Sequence, residues 1–419
     1  MTLVLEAREQ KLLDGSEGPA MRLAMRLVAR AADIMGATTL VPISFAHIDA
    51  CFYAGEAHVD FAQHLVDHGA RFAVPAWTNS GLVSLADPGL RPEAQDPEMI
   101  SGARRLMALY ERLGCRPVWT CAPYQLPGGP RFGDHIVVGE SNAVTYYNSV
   151  IGARTNKYGD YLDVACALLG RAPLAGLHTD AGRKADILFR TGAIGDTFRS
   201  ENIFFHLLGH HVGRIAGTRI PVIEGLPGSA KPHDLKALSA AAAASGGVDL
   251  WHGVGVTPEA PVTEAVFSHG EAVDVIAADL ERARDELSTY DDGPLDAVAL
   301  GTPHFSLAEF ETLLDLFQER KARIPVMVST SRYVRDLAAG RGWASLLQWA
   351  GVTVVVDTCT YFSPPVRGLS GHIMTNAAKW AYYAPGMLNV DVCFGSLREC
   401  VESAIRGEVW RDRTLWSGR

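Results

Sequence analysis

Ala297-Val298-Ala299-Leu300-Gly301-Thr302-Pro303-His304 opens the part of the chain whose reading decides the fold. Four apolar residues run straight into a glycine, a proline and a histidine, the pattern of a short buried strand that ends in a polar loop. The unit recurs downstream: residues 324–328 end in Ser329-Thr330-Ser331, and residues 352–356 end in Asp357-Thr358-Cys359. Helical spacing fills the intervals at 307–319, 331–339 and 343–350. Alternation of this kind predicts a parallel sheet whose loops gather along one edge, where open α/β sheets build their sites.

Working back towards the N-terminus, the alternation continues with helix 201–212, strand 219–223 and helix 233–244. Residues 271–287 read as the longest helix of this middle part. The turn-rich string Asp291-Asp292-Gly293-Pro294 marks a boundary. In the first part, two helices span 6–35, and short strands are expected at 38–43, 71–74 and 117–119. A helix is expected over 140–151. The reading is a multi-domain α/β protein with parallel sheets flanked by helices and the site between domains. Its divisions fall at 1–181, 182–293 and 294–419.

Composition removes several classes of function. The formal charge of −9 and the lack of a basic run argue against nucleic acid. No apolar run approaches the ~20 residues that a membrane helix needs, and the N-terminus has no signal-like apolar core, so a cytoplasmic location is expected. Seven cysteines, an odd number, make a disulfide framework unexpected. Any one of them, taken alone, reads equally as a small buried hydrophobe.

Polar chemistry concentrates in Thr120-Cys121-Ala122-Pro123-Tyr124, Gly139-Glu140-Ser141-Asn142-Ala143-Val144 and Asn148-Ser149-Val150-Ile151-Gly152-Ala153-Arg154-Thr155-Asn156. Cys121 and Cys359 fall at strand ends. Cys400 falls near the start of a helix, where a thiol's pKa is lowered. Cys115 and Cys166 read as core. Three thiolates without a fourth suit an iron–sulfur cluster with one iron left open to substrate. A competing pair, His206 and His210, lacks the glutamate of a zinc-peptidase helix, since Leu207 stands in its place. The string His252-Gly253-Val254-Gly255-Val256 lacks the third glycine of a dinucleotide fingerprint, and no phosphate loop or hydrolase elbow is present. Lys379 reads either as a snorkelling surface lysine or as an anchor for a carboxylate or hydroxyl.

Taken with Gly301-Thr302-Pro303-His304, Asp357-Thr358-Cys359 and Met374-Thr375-Asn376-Ala377-Ala378-Lys379, these strings resemble the large subunit of the aconitase X family, in order from Leu12-Leu13-Asp14-Gly15 to Glu399-Cys400. The resemblance implies an aconitase-like hydro-lyase with a [2Fe-2S] or [4Fe-4S] cluster, or mononuclear iron, held by Cys121, Cys359 and Cys400, with Cys393 as the substitute third ligand. It further implies a small swivelling-domain subunit that supplies a catalytic serine, for which this chain has no room. Lys379, Arg154, Glu140 and His304 form the implied catalytic group, with Lys379 and Arg154 anchoring the substrate carboxylate. His47, Asn79, Tyr124, Asn142, Asn148 and Thr155 form the implied substrate contacts. Family activities are dehydration of cis-3-hydroxy-L-proline and of mevalonate 5-phosphate, and the lack of a basic cluster favours the first. Pro75-Ala76-Trp77-Thr78-Asn79 departs from the family's Pro-Thr-Thr-Leu-Asn, which opens the alternative of another hydroxy acid. The remaining alternative is a non-catalytic metal-binding or scaffold subunit.

Overall fold

A computed structural model describes residues 3–417. Its centre is the sheet expected from the opening stretch, five parallel strands in the order Val352–Val355, Val326–Thr330, Ala297–Phe305, His372–Thr375 and Asp391–Phe394. Every residue of Ala297–Phe305 is buried, because helices cover both faces of the sheet. On one face, helices Leu307–Phe317 and Leu397–Arg406 contribute Phe310, Leu313, Val401 and Ala404 to the core. On the other, helix Ala378–Leu388 contributes Trp380, Ala381 and Ala384.

The middle part holds a second parallel sheet, in the order His252–Gly253, Pro221–Glu224, Ile187–Arg190 and Glu271–Asp274. Helices Asn202–Ala216 and Pro232–Gly246 pack beside it, and the alanine run Ala240–Ala244 is wholly buried between elements. The first part contains a three-stranded parallel sheet, Ala76–Thr78, Phe45–Ile48 and Ile136–Val138, and an antiparallel pair, Leu40–Pro42 with Arg171–Pro173. The expected class, parallel sheets flanked by helices, is the one observed. Among the described residues, no helix is long and apolar enough to cross a membrane.

Several local expectations are corrected. Residues 271–287 are not one helix: Glu271–Asp274 pairs with Ile187–Arg190 as an exposed edge strand, and the helix is Ala277–Glu286. The Asp279 carboxylate accepts from the Ile276 N–H, which starts the helix late. No strand forms at 71–74 or 117–119; pairing begins at Ala76, and Arg116 makes a single bridge to Trp77. The helix expected at 140–151 is α-helical only over Ser141–Tyr146 and widens to a π-turn over Tyr147–Ile151. Such turns concentrate at functional sites.

The three parts share cores. Cys359 and Phe362, from the last part, lie in the apolar cluster of the first, and a second cluster mixes residues of the middle and last parts. A buried ion pair joins the latter two: the Lys236 ammonium bonds the Glu309 carboxylate and donates to the His304 carbonyl at 3.0 Å. Glu309 also accepts from the Ser306 N–H and hydroxyl, so it begins helix Leu307–Phe317. Replacing Glu309 by Ala strands a buried ammonium and is expected to cost roughly 3–5 kcal/mol in chemical denaturation. The Glu309→Ala, Lys236→Met double variant should recover part of that loss, and an additive double loss would contradict this role.

Candidate metal centre and active site

Cys121, His304 and Cys359 meet although they are far apart in sequence, and all three are buried. The two sulfurs lie 3.9 Å apart, His304 Nε2 is 3.6 Å from Cys359 Sγ, and the His304 N–H points at Cys121 Sγ from 3.4 Å. Two thiols and an imidazole whose ligand atoms all fall within 4.8 Å of one another suit a thiophilic metal. The Cys359 thiol lies well below its ordinary range, through its contact with Cys121 and the nearby His304 ring, against the opposing effect of burial. Burial and the shared contact with Cys359 push Cys121 the other way. Of the two thiols, Cys359 is the more readily ionised. This donor set fits an iron centre.

Local backbone constraints aim each ligand. Strand Ala297–Phe305 shifts register between Leu300 and Phe305, so the extra residues bulge and turn His304 inwards. Gly301 permits the bulge: its φ is +82°, and a Cβ there would lie 2.5 Å from the Ser329 carbonyl. Thr120 Oγ1 sits 2.8 Å from His304 Nδ1. Nε2 faces the Thr358 carbonyl at 3.3 Å as well as Cys359 Sγ, and a metal would take it as a ligand with Nδ1 protonated towards the Thr120 hydroxyl. Trp119, just before Thr120, adopts φ +43° and its N–H is held by Thr78 Oγ1. Asp357, two residues before Cys359, adopts φ +72°. Its carboxylate takes both arms of Arg332 and the Leu85 and Ala86 N–H groups. Strained residues of this kind persist where their surroundings over-determine them.

Arg91 completes the support of Cys359. Its buried guanidinium donates to the carbonyls of Cys359 (2.7 Å), Pro364 (2.9 Å) and Leu82 (2.8 Å) and to Thr358 Oγ1 (3.2 Å). Burial lowers its pKa to about 10, which leaves it charged.

A cavity of about 390 Å³ opens beside the centre, lined by Asp49, Asn79, Glu140, Lys157, Asp160 and Lys379 among others. Lys379 and Glu140 form a buried ion pair across it, and Lys379 Nζ donates to Ser141 Oγ at 3.2 Å. Burial works against charge on both, yet mutual attraction keeps Glu140 below and Lys379 above their ordinary values. Glu140 also accepts from the Ala143 N–H and from Asn142 Nδ2, as the cap of helix Ser141–Tyr146. Asn142 in turn donates to the Cys121 carbonyl at 2.7 Å and accepts from the Tyr124 hydroxyl at 2.6 Å. Asn79 bonds Asp49, and the next residue, Ser80, places its hydroxyl 3.7 Å from Cys359 Sγ. The cavity and the centre are thus joined through short polar links on two sides.

The sequence candidates separate into four groups. Cys121, Cys359 and His304 form the centre, while Lys379, Glu140 and Asn79 line the cavity. Asn142 and Tyr124 act through others, and so does His47, whose Nε2 holds the Thr120 carbonyl at 2.9 Å. The rest are elsewhere. Arg154 pairs with Asp180 outside the cavity. Asn148 ties the backbone of Thr155 to that of Asp249, and Thr155 Oγ1 serves the Val138 N–H and the Asn156 carbonyl.

Cys400 is corrected most clearly. It is fully buried in the apolar core of the last part, with Cys393, Phe310 and Phe317, and it does not meet Cys121 or Cys359. The helix terminus that was expected to activate it is already occupied by the Ser396 and Glu399 capping groups. Burial, followed by the neighbouring Glu399, pushes its thiol well above the ordinary range. His304 stands where that third ligand was sought. Asp49, Ser80, Arg91 and Asp160 were not among the candidates named from the sequence. Asp49 had a visible signal, since it directly follows strand Phe45–Ile48 at a parallel sheet's edge. Arg91, inside a proline-rich loop, had none.

Comparison with known proteins agrees along the chain. Residues 2–181 match a family model for the aconitase X first domain, 185–287 the second domain and 295–406 the third domain. A cis-3-hydroxy-L-proline dehydratase of Pseudomonas aeruginosa is 41% identical over 411 residues, covering 96% of this chain and 70% of that protein. A phosphomevalonate dehydratase large subunit of Methanocaldococcus jannaschii is 32% identical, covering 96% of this chain and 100% of that protein. The crystal structure of Thermococcus kodakaraensis aconitase X in its holo-form superposes with a TM-score of 0.86 at 30% identity, covering 96% of this chain and 100% of that one. These relatives named for an activity are dehydratases, and this chain belongs to the aconitase X family.

Proposed function

We propose that this chain is the large subunit of an aconitase X-type hydro-lyase that dehydrates cis-3-hydroxy-L-proline to a pyrroline carboxylate. The observation that carries the reading is the cavity beside the Cys121–His304–Cys359 centre. Among the described residues it is lined by two lysines and three acidic groups, with no arginine. Such a lining suits a small zwitterion better than a phosphate dianion, which favours fork-like arginine donors. The higher identity to the P. aeruginosa enzyme points the same way. The second reading, a mevalonate 5-phosphate dehydratase, is favoured by full coverage of the M. jannaschii large subunit. That subunit's name also supports a small-subunit partner here, from which the catalytic serine is expected.

In the reaction, a proton leaves the carbon that bears the carboxylate and a hydroxide leaves its neighbour. An iron centre held by Cys121, Cys359 and His304 would supply a Lewis acid for the departing hydroxyl. Lys379 anchors the carboxylate: an ammonium has three donors, Glu140 and Ser141 use two, and one remains for the ligand. Tyr361 and Phe362, on the loop just past Cys359, form an apolar wall that limits water. Glu140 keeps Lys379 charged, and through Asn142 it also steadies the backbone of Cys121. The base that takes the α-proton is assigned to the partner's serine.

Two measurements test this. After anaerobic reconstitution, Cys121→Ala and Cys359→Ala should each lose bound iron, and Cys400→Ala should keep it. Full iron in both of the first two, or loss in the third, would remove the proposed centre. With its small subunit, the enzyme should turn over cis-3-hydroxy-L-proline with kcat/KM at least about tenfold above that for mevalonate 5-phosphate, the scale expected when buried polar groups are mispaired. The opposite order would establish the second reading.

A further inference from the structure

Of the three carboxylates that line the cavity, Glu140 is paired with a lysine, Asp160 faces an imidazole, and Asp49 has no basic side chain bonded to it among the described residues. Glu140 is closed on Lys379. Lys157 faces Asp249 at 3.8 Å, and Asp160 faces His58 Nε2 at 3.8 Å. Among the described residues, Asp49 has only the neutral amide of Asn79, bonded to Oδ1, while its Oδ2 has no side-chain or backbone donor. Burial, with Asp160 and Glu140 nearby, holds the Asp49 carboxyl up to about 7, against the Asn79 hydrogen bond and the weaker attraction of Lys379.

Asp49 is also firmly placed. Its N–H donates to the buried Asp163 carboxylate at 2.8 Å. Gly139 lets the opposite strand end approach it, since a Cβ at Gly139 would lie 2.5 Å from Asp49 Cβ. From Asp49 a polar chain runs through Asn79 and Ser80 to Cys359 Sγ, with steps of 3.3 Å and 3.7 Å after the first bond. A ligand atom held by Asp49 is therefore linked to the centre through this chain, and Lys379 offers its remaining donor from the same cavity.

We propose that Asp49, oriented by Asn79, recognises the ring nitrogen of the substrate as a secondary ammonium and so selects cyclic amino acids over phosphate-bearing hydroxy acids. The assignment rests on the hydro-lyase reading above and extends it to a specificity-determining residue. The ligand's carboxylate goes to Lys379 and its nitrogen to Asp49 Oδ2, which places the ring carbons between them. A phosphate in the same position would meet Asp49 and Asp160, both acidic.

The test uses two inert ligands on the iron-reconstituted enzyme: L-proline, and tetrahydrofuran-2-carboxylate, in which oxygen replaces the ring nitrogen. Calorimetry on the wild type should show L-proline binding about tenfold tighter or more, the scale of one charge-assisted hydrogen bond. Asp49→Asn should bring the two ligands within about twofold while leaving the oxygen analogue's affinity unchanged, which also shows that the variant is folded. Equal binding of both ligands by the wild type would overturn the proposal. So would an Asp49→Asn variant that keeps the full preference, or equal loss of both ligands in Asp49→Asn and Asp49→Ser. Because neither ligand reacts, this outcome is independent of turnover. An enzyme that dehydrates only mevalonate 5-phosphate would refute the proposed function by a separate result.

Discussion

A buried ammonium and carboxylate, Lys379 and Glu140, tie the last part of the chain to the first across 239 residues. Removing two such charges from water costs several kcal/mol each, and attraction offsets this only where the remaining donors and acceptors are also met. Here they are: Glu140 takes the Ala143 N–H and the Asn142 amide, and Lys379 takes the Ser141 hydroxyl. Both groups stay charged despite burial. The pair thereby fixes how two parallel sheets present their loops to each other, and the Cys121–His304–Cys359 centre forms where those loops meet.

The same logic governs the support around the centre. Each ligand arrives on a backbone that would not hold its shape alone: a bulge at Gly301, a left-handed Trp119, a left-handed Asp357. Each is held from outside its own element. Thr78 holds Trp119, Arg332 holds Asp357, and Arg91 reaches from a distant loop to the Cys359 carbonyl. Lys236, from the middle part, holds the His304 carbonyl. All three parts of the chain therefore contribute to the geometry of one small site.

Much of this was legible in the sequence where chemistry follows local pattern. Short apolar runs ending in Gly301-Thr302-Pro303-His304 and Asp357-Thr358-Cys359 gave away the parallel sheet, its edge and one of the two sulfur positions. The third position was sought at Cys400 because the family resemblance implied three cysteines. Cys400 has the right neighbours for an activated thiol, but Glu399 already serves that helix end and the side chain turns into the core. His304 was visible as a site residue, yet its turn towards the sulfurs depends on a bulge that no string announces. Arg154 fits its motif but pairs with Asp180, and Asp49 acquires its role only once Asn79 and Gly139 are brought beside it. Contacts of long sequence separation carry that information, and local periodicity does not.

The central claim is that two sulfurs and one imidazole hold the metal. Diffraction from crystals of the anaerobically reconstituted chain, recorded on both sides of the iron absorption edge, tests it most directly. The account predicts an anomalous iron peak bonded to Cys121 Sγ, Cys359 Sγ and His304 Nε2, facing the Lys379 cavity. An iron peak bonded to Cys400 or Cys393 instead, or one that leaves His304 uncoordinated, would contradict it.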